Sequence, residues 1–339
     1  MSKTIAITGA PGWLGTTLAQ ALAEGAQFRS ITQEPTRVRC LVEPSVNDGT
    51  LRQLGGDVEL VPVDLRKPQS VEGALDGCDA VVHAAGVIHP KRIRDLYSVN
   101  VQGTKNIIQE AIRAKVGRLV FISSNSPAGI SRTHSHWMRE EESPRPYFNY
   151  GESKLQAEQM VEGAFRSGDL ETVILRPCWF YGPNQPERQS RFFRMIQAGN
   201  PMVFGDGRNL RSMSYVSNTV QGTLLALAVE KAAGRTYWMT DKRPYSFIEI
   251  LETVAEILEV KDLRPRYIPS LVSTACQVAD ALIQKTGLYQ KEIHVVGELA
   301  SSIAVSVDRA VDELGYDPEI ELEEGMRRSI EWCRANGQL

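Results

Sequence analysis

Residues 3–15 read KTIAITGAPGWLG, and this stretch decides the fold that we expect. An apolar run ends in a turn where Gly9, Gly12 and Gly15 recur at every third position, and a helical pattern then continues to Glu24. A chain that turns sharply out of a strand needs residues without Cβ, and the first turn of the next helix offers free N–H groups to a pyrophosphate. The stretch therefore predicts the first strand, loop and helix of a dinucleotide-binding fold.

Further apolar runs alternate with helical patterns through the first half of the chain, which is typical of parallel strands joined by helical crossovers. The runs are almost fully apolar, as a sheet covered on both faces requires. We therefore predict an α/β protein with a Rossmann-type, doubly wound parallel sheet. The further strands expected are Arg37 to Val42, Val58 to Val63, Ala80 to His83, Arg118 to Ser123 and Glu171 to Leu175, with helices over Val101 to Ala114 and Tyr150 to Ser167.

The pattern of alternating strands and helices ends after Arg176, and turn-forming and charged residues then interrupt a few helical stretches. We expect residues 1–176 to form the dinucleotide-binding domain, including the catalytic residues. Residues 177–339 are expected to form a smaller, mixed α/β region that mainly binds substrate and from which strands or helices can rejoin the sheet. Helices are predicted there over Thr219 to Ala232 and Phe247 to Leu258.

Composition narrows the class of partner. The 339 residues are 42% apolar with a net charge of −3, which gives no global field for attracting nucleic acid, so a small-molecule substrate is expected. The five cysteines are scattered and the start of the chain carries no signal pattern, which favours reduced thiols in the cytoplasm. The pair His134 and His136 lacks a suitably spaced third ligand, so we expect no metal site.

No segment approaches the ~20 apolar residues of a membrane span. The nearest case is Leu271 to Ile283, which is short and contains Gln277 and Asp280. We predict a core-facing amphipathic helix there, and a membrane-surface anchor is the alternative.

The adenosine end of a dinucleotide is expected where the second and third strands end. Glu43 can accept hydrogen bonds from ribose hydroxyls and repel a 2′-phosphate, while Asp64 and Leu65 can hold the adenine. This favours NAD over NADP. Arg37 and Arg39 would favour NADP, but in an alternating strand they are expected to face solvent.

A catalytic pair is predicted at Tyr150 and Lys154, which share a helix face because they lie four residues apart. A carbonyl that receives hydride needs a proton on its oxygen, and free tyrosine, with a pKa of ~10, is a poor base at neutral pH. A fixed ammonium nearby favours the phenolate and lowers that pKa. The serines of FISSNS (Ser123, Ser124 and Ser126) follow a predicted strand, and any of them can hydrogen-bond the reacting oxygen there.

Taken together, the motifs resemble the extended short-chain dehydrogenases, also called the NAD-dependent epimerase/dehydratase family. The resemblance covers nearly the whole chain and rests on the order of the motifs rather than on any single one. They are TGAPGWLG, Asp64-Leu65, HAAG at 83–86, NVQGTKN at 100–106, the serine-rich strand end, YGESK and LRPCWFYGP.

The resemblance implies roles for individual residues. It selects Ser124 as the substrate-oxygen donor, Tyr150 as the acid/base and Lys154 as its activator and ribose contact. It implies that Asn100 steadies the cofactor loop or contacts the cofactor, and that two helices pair in a homodimer. The other residues it brings to the cofactor are Trp13, Leu14, Ala84, Ala85, Gly86 and Pro177. His83 is expected to be a packed residue rather than a ligand.

The substrate stays open between two classes. A cluster of arginines and the segment FGDGRNLRSMSYVSN resemble the diphosphate site of nucleotide-sugar epimerases, with Arg211 at the matching position, and this is the function we expect first. Asn218 and the sparsely charged region at 268–305 resemble the hydroxysteroid-dehydrogenase branch instead, which implies an apolar alcohol or ketone. Ser126 and Trp179 are further candidate substrate contacts. Asn125 and Ser126 stand where dehydratases carry an acidic pair, which disfavours dehydration, and a non-catalytic, cofactor-sensing protein is the remaining alternative.

Overall fold

The computed structural model describes residues 3–24, 31, 36–55 and 58–339. Its strands alternate with helices in the first half of the chain and become short in the second half. The strands are β1 (Lys3–Thr8), β2 (Thr36–Val42), β3 (Val58–Pro62), β4 (Ala80–His83), β5 (Arg118–Ile122), β6 (Glu171–Pro177), β7 (Trp179–Tyr181), β8 (Met202–Phe204), β9 (Leu210–Arg211), β10 (Met213–Tyr215), β11 (Thr236–Met239), β12 (Tyr245–Ser246) and β13 (Arg266–Ile268).

The helices connect successive strands or extend the second half. They are α1 (Trp13–Glu24), α2 (Gly49–Arg52), α3 (Pro68–Val71), α4 (Ile93–Leu96), α5 (Thr104–Arg113), α6 (Phe148–Arg166), α7 (Glu187–Gln197), α8 (Val216–Ala228), α9 (Phe247–Ile257), α10 (Ser270–Lys285), α11 (Lys291–Leu299), α12 (Asp308–Leu314) and α13 (Leu322–Ala335). A π-helix, Tyr97–Gly103, joins α4 to α5.

The central sheet has seven parallel strands in the order β11-β6-β5-β4-β1-β2-β3. The direction of winding reverses between β1 and β4, where Thr8 lies beside His83 at the carboxyl ends. Ligands of open α/β sheets bind in the crevice at such a reversal. The predicted fold class, a doubly wound parallel sheet, is confirmed.

Apolar residues cover both faces of the sheet. Ile5 and Ile7 of β1 belong to a core with α1 and α8, whereas Ala6 belongs to a second core with α5 and α6. The alternation follows from the period of two in a strand, which sends successive side chains to opposite faces. Both sides of the strands are therefore closed to water.

Residues from 177 onward do not stand apart from the sheet. The strand β11 pairs with β6, with Trp238 beside Arg176, and so forms the seventh strand. The helices α8 and α12 pack into the core of the main sheet, whereas β7, β10, α7, α9 and α13 form an apolar core of their own. Since β11 completes the main sheet, the division at residue 176 does not separate two complete units.

Most predicted elements occur within one to three residues of their expected bounds. The helix expected from Val101 begins earlier and contains the π-helix Tyr97–Gly103, which hydrophobic periodicity does not reveal. The core-facing orientation predicted for the helix at 271–283 is wrong. The residues of α10 that are buried are Ser273, Asp280 and Gln284, whereas Leu271, Val272, Val278 and Leu282 are exposed.

Candidate active site

The glycine-rich loop packs directly on the chain that leaves β4. Gly9 has a φ of +85°, and a Cβ there would lie 2.6 Å from the backbone of Ala84 and Ala85. A Cβ on Gly15 would lie 2.7 Å from the Ala10 nitrogen, and the Gly12 amide donates to the Gly9 carbonyl at 2.7 Å. These positions therefore accept only glycine, and they leave the start of α1 open to a phosphate.

A cleft of about 460 Å³ extends from this loop across the carboxyl ends of the strands. Seven of the fifteen residues that were predicted to bind cofactor line it. They are Gly9, Gly12, Glu43, Asp64, Leu65, Ala85 and Gly86. Glycine backbone at one end and carboxylates at the other fit a dinucleotide, whose pyrophosphate needs amides and whose ribose hydroxyls need acceptors.

Trp13 and Leu14 do not line this cleft. The Trp13 indole donates to the Pro183 carbonyl at 2.6 Å and its ring lies 5.9 Å from that of Phe180, so it ties α1 to the segment after β7. Leu14 is buried in the core. Contact of these two side chains with cofactor stays a prediction.

The adenosine end includes a residue that sequence reasoning missed. Arg66 forms a two-point ion pair with Asp64, at 2.7 Å and 3.0 Å, and lies 3.7 Å from Glu43. Its hydrogen bonds lower the pKa of Asp64 to about 2. The expectation that Arg39 faces solvent is wrong, because Arg39 bonds Glu59 and the Asp76 carbonyl at 2.7 Å each.

His83 lies beneath the loop as a packed residue, as predicted. Its ring nitrogens are 2.7 Å from the Thr8 hydroxyl and 2.9 Å from the Thr104 hydroxyl. Burial, reinforced by the Lys154 charge, lowers the pKa of His83 to about 3, so the ring is neutral at pH 7. A neutral imidazole can bridge the two hydroxyls, which links β1, β4 and α5.

Asn100 lies on the π-helix and fastens the chain after β4. Its side-chain oxygen accepts from the Val87 amide at 2.8 Å, and its nitrogen donates to the Val87 carbonyl at 3.0 Å and to Ser153 at 3.1 Å. The side chain is 1% exposed and its amide is fully engaged. Asn100 therefore positions the loop, which is the first of its two expected roles.

Three predicted catalytic residues meet where β5 ends and α6 begins. Tyr150 and Lys154 are one turn apart on α6, and the Ser124 hydroxyl lies close enough to the Tyr150 phenol to lower its pKa. The Ser126 hydroxyl lies 3.4 Å from that of Ser124. Ser123 instead points into the protein, where its hydroxyl is buried without a partner among the described residues. The geometry therefore favours Ser124 among the three serines.

Burial dominates the charges of this pair. Burial raises the pKa of Tyr150 to about 12, an effect that the nearby Ser124 side chain opposes. Burial also lowers the pKa of Lys154 to about 7, against the opposing charge of Glu158. The Lys154 ammonium donates to the Ile122 carbonyl at 2.8 Å and lies 4.2 Å from the centre of the Phe121 ring. The expected lowering of the Tyr150 pKa by Lys154 is therefore not seen in this arrangement.

A helical hairpin, α10 with α11, covers the catalytic end of α6. Gln284 accepts hydrogen bonds from the Asn149 backbone at 3.2 Å and from its side chain at 2.8 Å. Tyr289, between the two helices, lies 2.7 Å from His89, and His294 packs its ring on Tyr147. We call this hairpin the cap, residues 270–299.

The cap changes the setting of Arg211, the predicted diphosphate contact. Arg211 is 5% exposed and donates to the Glu298 carboxylate at 3.3 Å and to the Glu298 carbonyl at 2.7 Å. The charge of Glu298 also helps to raise the Tyr150 pKa, so it acts on the catalytic centre. No sequence motif marked Glu298.

Buried polar atoms remain unsatisfied around this ion pair. The Tyr147 hydroxyl, the Arg211 Nε and the Asp280 Oδ1 have no hydrogen-bond partner among the described residues. Burial raises the pKa of Tyr147, and the charges of Glu298 and Asp280 raise it further. Because buried polar groups normally find partners, these atoms are available to hydrogen-bond a substrate.

The other substrate candidates lie elsewhere. Trp179 packs on Phe192 at 5.6 Å, and Pro177 is buried at the end of β6. The remaining arginines of the cluster are exposed, namely Arg188, Arg191, Arg194 and Arg208. Beyond Arg211, an open cleft of about 550 Å³ is lined by Phe204, Gly205, Asn209, Tyr267 and other residues.

Asn218 has a structural role. Its amide donates to the Ile320 carbonyl at 2.7 Å and lies 3.4 Å from Asp241, which also accepts from the Tyr181 hydroxyl at 2.6 Å. Burial raises the pKa of Asp241 to about 7. The choice between Asn and Asp at position 218 therefore carries little direct information on the substrate.

Across residues 3–24, 31, 36–55 and 58–339, no cluster of three His, Cys, Asp or Glu side chains could hold a metal ion. In the same ranges, no helix is long and apolar enough to cross a membrane.

Comparison with known proteins identifies the family. Residues 5–239 match the model of the NAD dependent epimerase/dehydratase family. The chain belongs to this family. The predicted family, the enzymatic class and NAD as the cofactor of that class are thereby confirmed.

Individual relatives span both substrate classes. The chain is 41% identical to the uncharacterized protein y4nL of Sinorhizobium fredii, covering 98% of this chain and 96% of that protein. It is 27% identical to 3beta-hydroxysteroid-dehydrogenase/decarboxylase isoform 1 of Arabidopsis thaliana, over 96% and 78% of the two chains. The structure of UDP-glucuronic acid 4-epimerase from Bacillus cereus in complex with NAD superimposes with a TM-score of 0.77, at 21% identity and over 98% and 99% of the chains.

Proposed function

We propose that this protein transfers hydride reversibly between NAD and a secondary alcohol or ketone, and that its substrate carries no phosphate and is uncharged where it meets the cap. The observation that carries the substrate class is the Arg211–Glu298 pair, which neutralises the one buried guanidinium expected to bind a diphosphate. A ligand phosphate would have to displace Glu298 and leave a second anion beside it, which is unfavourable in a site of low dielectric.

The dinucleotide would be held by the glycine loop and by Glu43 and Asp64. Bound NAD supplies the hydride acceptor or donor. Lys154 lies beside Gly86 at the end of the cleft, where a Cβ on that glycine would come within 3.9 Å of the ammonium, so it can donate to the nicotinamide ribose. Exclusion of a 2′-phosphate by Glu43 supports NAD over NADP.

Proton transfer would pass through Tyr150. In the direction of reduction, the phenol gives its proton to the carbonyl oxygen as that carbon receives hydride, and Ser124 donates a hydrogen bond that holds the oxygen. In the direction of oxidation, the phenolate takes the alcohol proton. With a pKa near 12, Tyr150 is almost fully protonated at neutral pH, which suits reduction. Asn125 and Ser126 offer no acid or base for dehydration.

A substitution at Tyr150 tests the chemistry. We expect Tyr150→Phe to reduce turnover about 10²- to 10⁴-fold, the usual contribution of general acid–base catalysis, while the rise in melting temperature with NAD is kept. Turnover is followed by NADH absorbance on a panel of uncharged ketones. The control is Tyr237→Phe, which removes a phenol that bonds Glu313 on α12 and does not line the cleft. Full activity of Tyr150→Phe would show that another group moves the proton.

A nucleotide-sugar epimerase is the second candidate, favoured by the open cleft of about 550 Å³ that lies near Arg211. In that case Glu298 would release the guanidinium when a diphosphate binds. Thermal stabilisation by UDP or dTDP distinguishes the two candidates. We expect little stabilisation of the wild type and at least a tenfold gain in UDP affinity for Glu298→Gln, with Glu292→Gln on the same helix as control. Strong UDP binding by the wild type would favour the epimerase.

A further inference from the structure

The cap helix α10 has its polar side turned inward. Ser273 donates to the Val296 and Gly297 carbonyls at 2.6 Å and 2.9 Å, and Gln277 donates to the Gly297 carbonyl at 2.7 Å. Asp280 lies 2.7 Å from His294, and Gln284 holds Asn149. These four positions follow a spacing of four, three and four residues, so they form one helix face.

The opposite face of α10 is apolar and exposed. Leu271, Val278 and Leu282 are 75%, 59% and 60% exposed, and Ala275 continues the same stripe. Half of the fourteen large apolar side chains that are exposed among the described residues lie within residues 267–295. Surface leucines that occur singly need no explanation, but a contiguous group of this kind marks an interaction surface.

Basic residues lie at both ends of this face. The segment 261–291 contains five basic and two acidic residues, whereas the chain as a whole has a net charge of −3. One of the two acidic residues, Asp280, is buried with His294, so it does not offset the surface charge. The other, Asp262, is exposed and forms an ion pair with Arg264 at 2.5 Å, so it offsets one of the five positive charges. Arg264 and Arg266 precede the helix and Lys285 ends it, all three exposed. The patch therefore combines exposed apolar side chains with a net positive charge.

We propose that the outer face of α10, with Tyr267 and the flanking basic residues, binds the surface of a membrane containing anionic phospholipids. An interfacial helix buries its apolar side at the level of the acyl chains, while lysine and arginine contact the headgroups. Charge favours this occupant over a second copy of the chain, because two equal patches would bring Arg266 and Lys285 of each copy together. The inference does not depend on the proposed substrate.

Vesicle flotation tests the proposal. The full-length protein is mixed with vesicles of phosphatidylcholine alone or of equal parts phosphatidylcholine and phosphatidylglycerol. We expect binding to the anionic vesicles that weakens as salt is added. Replacing Leu271, Val278 and Leu282 together by Gln should lower the partition coefficient at least tenfold. Arg264→Gln, Arg266→Gln and Lys285→Gln in combination should remove the preference for phosphatidylglycerol.

The control is a protein with Ile112→Gln and Val311→Gln, which changes exposed apolar residues outside the patch. It should bind vesicles like the wild type, and all variants should keep their melting temperature because the altered side chains face outward. Failure of the wild type to float with anionic vesicles, or unchanged binding by the triple apolar variant, would overturn the proposal. A dimer seen by light scattering that the triple variant abolishes, without vesicle binding, would identify a second copy as the occupant.

Discussion

Lys154 projects from α6 into a place where few groups can satisfy an ammonium. Its ammonium donates to the Ile122 carbonyl at 2.8 Å and lies over the face of the Phe121 ring. Among the described residues, no carboxylate forms an ion pair with it, since Glu158 pairs with Arg176. Loss of hydration then outweighs these contacts, and the pKa falls to about 7. At neutral pH the residue is poised between a cation that can hold a ribose and a neutral amine.

This pKa predicts how stability depends on pH. Between pH 7 and about 10.5 the folded protein binds fewer protons at Lys154 than the unfolded chain does, so the free energy of unfolding rises with pH in that window. Below pH 7 both states carry the proton and the cost of burying it is constant. We expect Lys154→Met to be more stable than the wild type at pH 6, with the difference shrinking by up to about 1.4 kcal/mol per pH unit above pH 7.

Urea unfolding of wild type and Lys154→Met at pH 6, 8 and 9 measures this difference directly. Lys105→Met, on the exposed side of α5, serves as the control for loss of one lysine. A difference between Lys154→Met and wild type that stays the same at all three pH values would contradict a lowered pKa at Lys154.

The Arg211–Glu298 contact shows the same principle in another form. An arginine in a diphosphate motif is expected to be free to bind an anion. The Arg211 guanidinium instead donates hydrogen bonds to Glu298, a residue 87 positions away in the chain. Its role follows from that partner and not from the motif.

Among the elements, the β1–α1 loop is the one whose conformation is most fully explained by local sequence. Its glycines meet backbone on every side, so any Cβ forces the loop away from Ala84 or from itself. Rigid amides at the start of α1 are what a pyrophosphate site requires.

We expect Gly15→Ala to destabilise the protein by about 1–3 kcal/mol, as overpacking does, and to weaken NAD binding at least tenfold. Calorimetric titration with NAD and thermal unfolding check the two effects. Gly163→Ala is the matched control, because Gly163 is exposed near the end of α6 with nothing within 4 Å of its Cβ position. Its helix propensity should make that variant equal to the wild type or up to about 1 kcal/mol more stable. Equal NAD binding by Gly15→Ala would mean that the loop does not hold the cofactor.

The local sequence of the cap helix α10 does not predict which of its faces is buried. Its apolar period is clear in the sequence, yet its polar stripe is the buried one, because Ser273, Gln277 and Asp280 find partners on α11. Periodicity locates the two faces of a helix but does not say which face is covered.

At the scale of the whole molecule, the second half of the chain completes the first. The strand β11 covers the edge of β6, and Arg118 of β5 donates to the carbonyls of Ala226 and Val229, at 3.0 Å and 2.7 Å, at the end of α8. The two regions on either side of residue 176 are therefore expected to unfold together, although they are proposed to have different functions.

We expect residues 1–176 expressed alone to lack a cooperative unfolding transition, because β6 would become an open edge and the core against α8 would be exposed. Near-ultraviolet circular dichroism and binding of a hydrophobic dye during thermal unfolding measure this, with the full chain as reference. A sharp transition that NAD shifts upward would show instead that the segment is an autonomous domain.

Much of the fold and part of the site followed from residues near one another in the chain. The glycine spacing, the apolar strands and the four-residue step from Tyr150 to Lys154 are local features, and parallel strands bring their carboxyl ends to one edge, so Ser124 and Gly86 could be placed there in advance. By contrast, the pKa values, the Arg66–Asp64 pair and the covering of Arg211 by Glu298 depend on burial and on contacts between distant segments. Local patterns determine which elements form, and tertiary packing alone decided which charges are neutralised and which face of the cap remains open.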